Sequence, residues 1–175
     1  MDLPSIFVTV GTTDFDEMIM TLDSQLFLDF IIKCKCKNVV FQIGRGLYIP
    51  TFLSEKSKLM NSFKFEYFRF QSSLIPYVAS STLIISHAGA GSISEALEYR
   101  KKLLVCINES LMDNHQKELA AALAEKKYCI YTTPKNLCSL LYNDVKFDDL
   151  VPYPRPDNDV FPNFLNEYLG FSLDD

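Results

Sequence analysis

Six short apolar runs recur along the chain, each followed by a polar or small-residue break and then by a helical pattern. They fall at residues 5–10, 38–43, 63–70, 82–86, 103–107 and 128–131. Each is too short for a helix, and most are rich in Val, Ile, Leu and Phe, as buried strands require. Strands that alternate with helices must run parallel, because each connection crosses over one face of the sheet. The chain is therefore read as α/β, a doubly wound, mainly parallel Rossmann-like sheet. In the strand order 3-2-1-4-5-6, strands 1 and 4 are neighbours where the order reverses, and ligands bind beyond their carboxyl ends.

The helical segments are placed by periodicity and punctuation. After the first strand, the turn at Gly11 leads into a helix capped by Asp14 or Asp16, with Ile19, Leu22, Leu26 and Phe30 on its apolar stripe. Residues 47–62 hold a loop or short helix. Residues 72–80 read as helical, with Pro76 in the first turn. Further helices are expected at 91–99, at 114–127 with Leu119, Ala122 and Leu123 inward, and at 134–142. Residues 144–162 form an acidic, proline-rich connector with Pro152, Pro154, Pro156 and Pro162. Residues 161–170 form a C-terminal helix with Phe161, Phe164, Leu165, Tyr168 and Leu169 on one stripe. That stripe packs on its own domain or docks a partner. The whole, 1–175, is read as one domain.

Composition narrows the function classes. Of 175 residues, 48% are hydrophobic and 22% charged, which fits a globular chain. The net charge is −5, and the longest basic run is Arg100-Lys-Lys102. That balance argues against nucleic acid and against adsorption to an anionic bilayer. The five cysteines lack zinc-site spacing, and Cys106 sits in an apolar run. They read as reduced thiols in a cytoplasmic protein. Residues 1–4 show no signal-peptide pattern, and no apolar stretch is long enough to span a membrane; Asp23 and Asp29 interrupt one and Pro76 another.

The two turns at the switch point carry the chemistry. The first is Gly11-Thr12-Thr13. The second is His87-Ala88-Gly89-Ala90-Gly91, leading into Ser92 and Glu95. Strand, small-residue turn and helix together aim free amides and a helix dipole at an anion. Two such turns suit a diphosphate. Thr12, Thr13 and Ser92 offer hydroxyls, the Gly89–Ser92 backbone offers amides, and His87 offers a ring N–H. Glu95 is placed to accept from a ribose diol, and Gln116 has the donor and acceptor that neighbouring sugar hydroxyls need. Beside the functional reading stand plainer ones: Ser92-x-x-Glu95 also fits a capping box, His87 a hydrogen-bonded structural histidine, and Gln116 an exposed helix residue. Both histidines, His87 and His115, are placed in loops beyond strand ends. The first turn is not G-x-G-x-x-G, and there is no P-loop, metal cluster, paired carboxylate or nucleophile elbow.

His87-x-Gly89-x-x-Ser92-x-x-Glu95 followed by His115-Gln116 resembles the donor-nucleotide signature of inverting GT-B glycosyltransferases. With Phe7-Val-Thr-Val-Gly-Thr-Thr13, Gln42-Ile-Gly-Arg-Gly46 and Asn108-Glu-Ser-Leu-Met-Asp-Asn114, the likeness over residues 5–170 is to the soluble subunits of two-component UDP-N-acetylglucosamine transferases of the dolichol pathway. The resemblance implies the C-terminal, donor-binding half of a GT-B enzyme, with UDP-GlcNAc as donor substrate and neither cofactor nor metal. A membrane-anchored subunit would supply the acceptor-binding half and recruit the chain to the cytosolic face of the endoplasmic reticulum. The pair would add the second GlcNAc to GlcNAc-diphosphodolichol.

Carried over by position, His87, Gly89, Ala90, Gly91 and Ser92 touch the diphosphate, with Gly11, Thr12 and Thr13 on its other side. Glu95 touches the ribose, Phe70 and Leu74 flank the uracil, and Gln116 touches the sugar beside Asn114 and His115. His87, Glu95 and His115 are the residues closest to catalysis. One departure is Arg100-Lys-Lys102, where relatives often carry Gly-Lys-Pro. Two other functions stay open: a non-catalytic nucleotide-sugar-binding module that regulates a partner, and an epimerase-like enzyme, which would need a second lobe.

Overall fold

The computed structural model describes residues 2–109, 114–143 and 145–154. The expected C-terminal helix at 161–170 and residues 144 and 155–162 of the proline-rich connector lie outside them. Strands β1 (Ser5–Thr9), β2 (Asn38–Gln42), β3 (Lys64–Phe68), β4 (Leu83–His87), β5 (Lys102–Cys106) and β6 (Ile130–Thr132) form one sheet in the order β3-β2-β1-β4-β5-β6. Every pairing is parallel. The doubly wound α/β architecture read from the sequence is the one observed.

Alternation along the strands sends side chains to two cores. Val8, Val10, Ile85, Leu104 and Cys106 point to one face. They pack under α1 (Asp16–Leu22), α2 (Gln25–Lys33) and α7 (Pro134–Tyr142). Phe7, Ile84, Leu103 and Val105 point to the other, under α4 (Ile75–Ser80), α5 (Ala90–Glu98) and α6 (Asn114–Glu125). Phe7 is fully buried and stacks on Tyr77 at 5.6 Å between ring centroids. β3 forms one edge and is half exposed, as its mixed pattern required.

Several local expectations change. The single helix after the first strand is two, because the chain breaks at Asp23-Ser24. Leu26, placed on the apolar stripe, is 50% exposed. Neither Asp14 nor Asp16 caps α1: the N-cap position is Phe15, with no side-chain cap. Asp16 instead accepts from the Leu47 amide at 2.9 Å. Buried Asp23 accepts from the Tyr48 hydroxyl at 2.8 Å and from the Phe52 and Leu53 amides at 3.1 and 2.8 Å. It thereby satisfies the start of α3 (Phe52–Met60), the helix that residues 47–62 do contain. The helix expected at 72–80 is confined to α4, with Pro76 in its first turn. In α6 it is Ala120 that is fully buried, while Ala122 is exposed. The last strand lies two residues later than its apolar run.

Candidate functional site

β1 and β4 pair directly, with Thr9 opposite Ser86, so the turns that follow them meet at one rim of the sheet. His87 closes β4, opposite Cys106, and is a strand residue where a loop residue was expected. Its ring is wedged between the two glycine-bearing turns. A Cβ on Gly11 would lie 2.5 Å from His87 Cε1, and one on Gly89 would lie 2.8 Å from the same atom and closer still to Nε2. Gly11 also has φ +65°, the left-handed region that glycine adopts without strain. The two small turns are therefore matched to one imidazole.

That imidazole is poorly satisfied. Nδ1 is buried and makes no hydrogen bond. Burial holds the ring's pKa below its ordinary value; the Thr9 backbone carbonyl opposes the shift without reaching hydrogen-bond geometry with Nδ1. The ring is accordingly neutral at physiological pH, with one N–H to donate.

The capping-box reading of Ser92 and Glu95 does not hold. α5 starts two residues earlier, at Ala90, with Gly89 at the N-cap position and no side-chain cap. Ser92 is thus the third helical residue rather than the cap, and Glu95 stands a turn further in. Nor does the first turn carry an acidic residue. Its amides and the positive end of the dipole are left for a ligand. Gly91 lies inside this turn, and a Cβ built on it would meet nothing within 4 Å. Its missing side chain is not demanded by packing; it keeps the helix start bare. Ser92 and Glu95 are half-buried on the same helix.

The other side of the rim is held by Gln42, the last residue of β2 and 1% exposed. Its Oε1 accepts from Thr9 Oγ1 at 2.6 Å and from the Gly11 amide at 2.9 Å. Its Nε2 donates to the carbonyls of Gly11 at 2.7 Å and Arg69 at 2.8 Å. Arg69 in turn donates through Nη1 to the carbonyls of Gly44 and Gly46, and the Arg45 amide donates to the Thr13 carbonyl at 2.9 Å. The loops after β1, β2 and β3 are one hydrogen-bonded unit. Sequence reasoning gave Gln42 no role. The signal was there: a polar residue that ends a buried strand must find partners.

Of the remaining expected residues, Thr12 is exposed at the rim. Thr13 is not a free donor, because its hydroxyl already donates to the Val10 carbonyl at 3.1 Å. Phe70 is 52% exposed in the loop that Arg69 opens. Leu74 packs against the second core at the start of α4. Gln116 is half-buried in the first turn of α6. Asn114 and His115 fall in that same turn, their side chains outside the described residues. Among the described residues no three His, Cys, Asp or Glu side chains cluster as metal ligands, and no helix is long and apolar enough to cross a membrane.

Comparison with known proteins bears on the fold and the family. The chain is 41% identical over 128 residues to the human UDP-N-acetylglucosamine transferase subunit ALG13, covering 73% of this chain but only 11% of the relative. A solution structure of ALG13 superposes with TM-score 0.67 at 26% identity, covering 94% of this chain and 96% of that one. Acinetobacter baumannii MurG shares the fold at TM-score 0.62 and 14% identity; the match covers 95% of this chain and 42% of MurG. Residues 5–162 match the glycosyltransferase family 28 C-terminal domain, and the chain belongs to that family.

Proposed function

We propose that the chain is the donor-binding, catalytic subunit of a UDP-GlcNAc transferase that adds the second GlcNAc to GlcNAc-diphosphodolichol. In this reading a membrane-anchored partner supplies the acceptor-binding half and holds the pair at the cytosolic face of the endoplasmic reticulum. The observation that carries it is the uncapped, small-residue start of α5 set against the glycine-cradled His87. The name of the human relative, a UDP-N-acetylglucosamine transferase subunit, supplies the donor.

The roles follow from position. The Ala90–Ser92 amides, the Ser92 hydroxyl and the His87 N–H take the diphosphate, with Gly11, Thr12 and Thr13 closing its other side. Glu95 accepts from the ribose, the Phe70–Leu74 loop covers the uracil, and Gln116 meets the sugar. In inverting transfer the acceptor hydroxyl oxygen attacks the anomeric carbon as its bond to the β-phosphate oxygen breaks. The bonding electron pair leaves with UDP, and the hydroxyl proton goes to a base. This chain stabilises the leaving diphosphate by dipole, amides and a neutral imidazole. Glu95, assigned to the ribose in this reading, is not the base that takes the acceptor proton.

The test is to recover the chain with its bound partner from cells and measure GlcNAc transfer to a lipid diphosphate acceptor. Transfer by the pair, greatly reduced by Glu95→Ala through a raised donor KM, is the expected result. Binding of UDP-GlcNAc without transfer in any complex would identify a non-catalytic regulatory module instead.

A further inference from the structure

We infer that Gln42 is a positioning residue that couples the diphosphate side of the donor site to its nucleobase side. The inference rests on the donor-site reading above and adds a residue to it. Gln42 lies between Thr9 of β1 and Phe68 of β3 in register, so its side chain reaches the ends of both neighbouring strands. Both lone pairs and both N–H groups are used, and only one amide orientation satisfies all four partners, since a flip would set N–H against donors and oxygen against two carbonyls.

Two of those partners matter for a ligand. One is Gly11, held by both its amide and its carbonyl, whose backbone abuts the His87 ring. The other is the Arg69 carbonyl, at the origin of the loop that carries Phe70. A single planar amide, buried and unable to rotate, thus fixes the distance between the turn under the diphosphate and the loop over the base. Nucleoside diphosphates that carry both groups are favoured over ligands that carry only one.

The test compares UDP with inorganic pyrophosphate, by calorimetry on the full chain, for the wild type, Gln42→Met, Gln42→Glu and Thr9→Val. Gln42→Met removes every hydrogen bond at similar volume. Gln42→Glu keeps the acceptors but sets a carboxylate against two carbonyls. Thr9→Val removes two hydrogen bonds of the same cluster, the one Thr9 donates to Gln42 Oε1 and the one it accepts from the Gly11 amide, and leaves both carbonyl links intact. Losing the preorganised spacing between the two sides predicts a roughly tenfold weaker UDP Kd in both Gln42 variants. Pyrophosphate binding should change little, so the preference for UDP falls.

Thr9→Val should lower Tm while keeping that preference. If the Gln42 variants lose Tm but keep the wild-type ratio of the two Kd values, Gln42 is only structural and the inference fails. If the wild type itself does not prefer UDP to pyrophosphate, the donor-site reading fails first. Should both Gln42 variants fail to fold, the wild-type Gln42 side-chain NH2 resonances decide: they shift on UDP addition but not on pyrophosphate addition, or the coupling is absent.

Discussion

Two glycines two residues apart, Gly89 and Gly91, should respond to the same substitution with opposite signs. Gly89 has φ −74° and ψ 129°, a conformation alanine adopts freely, so backbone strain contributes nothing. A methyl group there runs into the His87 ring, whose Cε1 and Nε2 also lie close against Gly11, so the ring has little room to give. Overpacking of this kind costs about 1–3 kcal/mol. Gly91 is helical and its new methyl meets nothing within 4 Å. Glycine to alanine in a helix gains about 0.5–1 kcal/mol. For a chain of this size each kcal/mol moves Tm by about 2–4 °C, so Gly91→Ala should raise Tm by about 1–4 °C and Gly89→Ala should lower it by about 2–12 °C.

Under the proposed function the Gly91 methyl would stand in the diphosphate's approach to the α5 amides, so donor affinity should fall by roughly tenfold or more even as the fold gains stability. Differential scanning fluorimetry with and without UDP reads both quantities. A Gly91→Ala protein that binds UDP as tightly as wild type would refute the claim that the bare helix start receives the phosphates.

Further outcomes are fixed by the same geometry. An NMR titration should find His87 below its ordinary pKa in the free chain, and UDP should raise it, because an anion at the ring favours imidazolium. Since the folded ring resists protonation, its contribution to stability is complete above the unfolded value of about 6.5 and is lost as pH falls through that value toward the folded pKa. Chemical denaturation across that window checks the sign. Tyr48 should titrate late, at about 12, pushed up by burial and by the Asp23 carboxylate, so its contribution is lost as pH rises from its unfolded value of about 10 through the folded one. Ultraviolet difference spectra follow it. Asp23→Ala should cost about 2–4 kcal/mol in urea denaturation, because it strands three donors. Phe7→Ala should cost about 3–5 kcal/mol by the same measurement, since it empties the stack on Tyr77.

How much of this was legible beforehand depended on the range of the interaction concerned. The strand order followed from local apolar runs and short connections, and α7 was read to its terminal residues because Pro134 marks its first turn. The meeting of the two small turns followed from the order. By contrast, the break at Asp23-Ser24 lies within a continuous apolar stripe, and its acceptors serve donors about 30 residues away. Ser92-x-x-Glu95 satisfies the cap pattern equally well one turn inside a helix, so the pattern alone could not place the helix start. Gln42, a polar residue ending a buried strand, announced a need for partners, but which partners is set, as for Asp23, by groups far along the chain.

The Asp23 carboxylate has one more implication. The residue that ends α1 also supplies the acceptors for the first amides of α3, so the two helices share a single fastening. Fraying of one end releases the other. Hydrogen exchange at Phe52 and Leu53 should therefore report the integrity of a helix that neither residue belongs to, and the segment between them, with Leu47 fully out in water, is clamped at both ends like the span of a bridge.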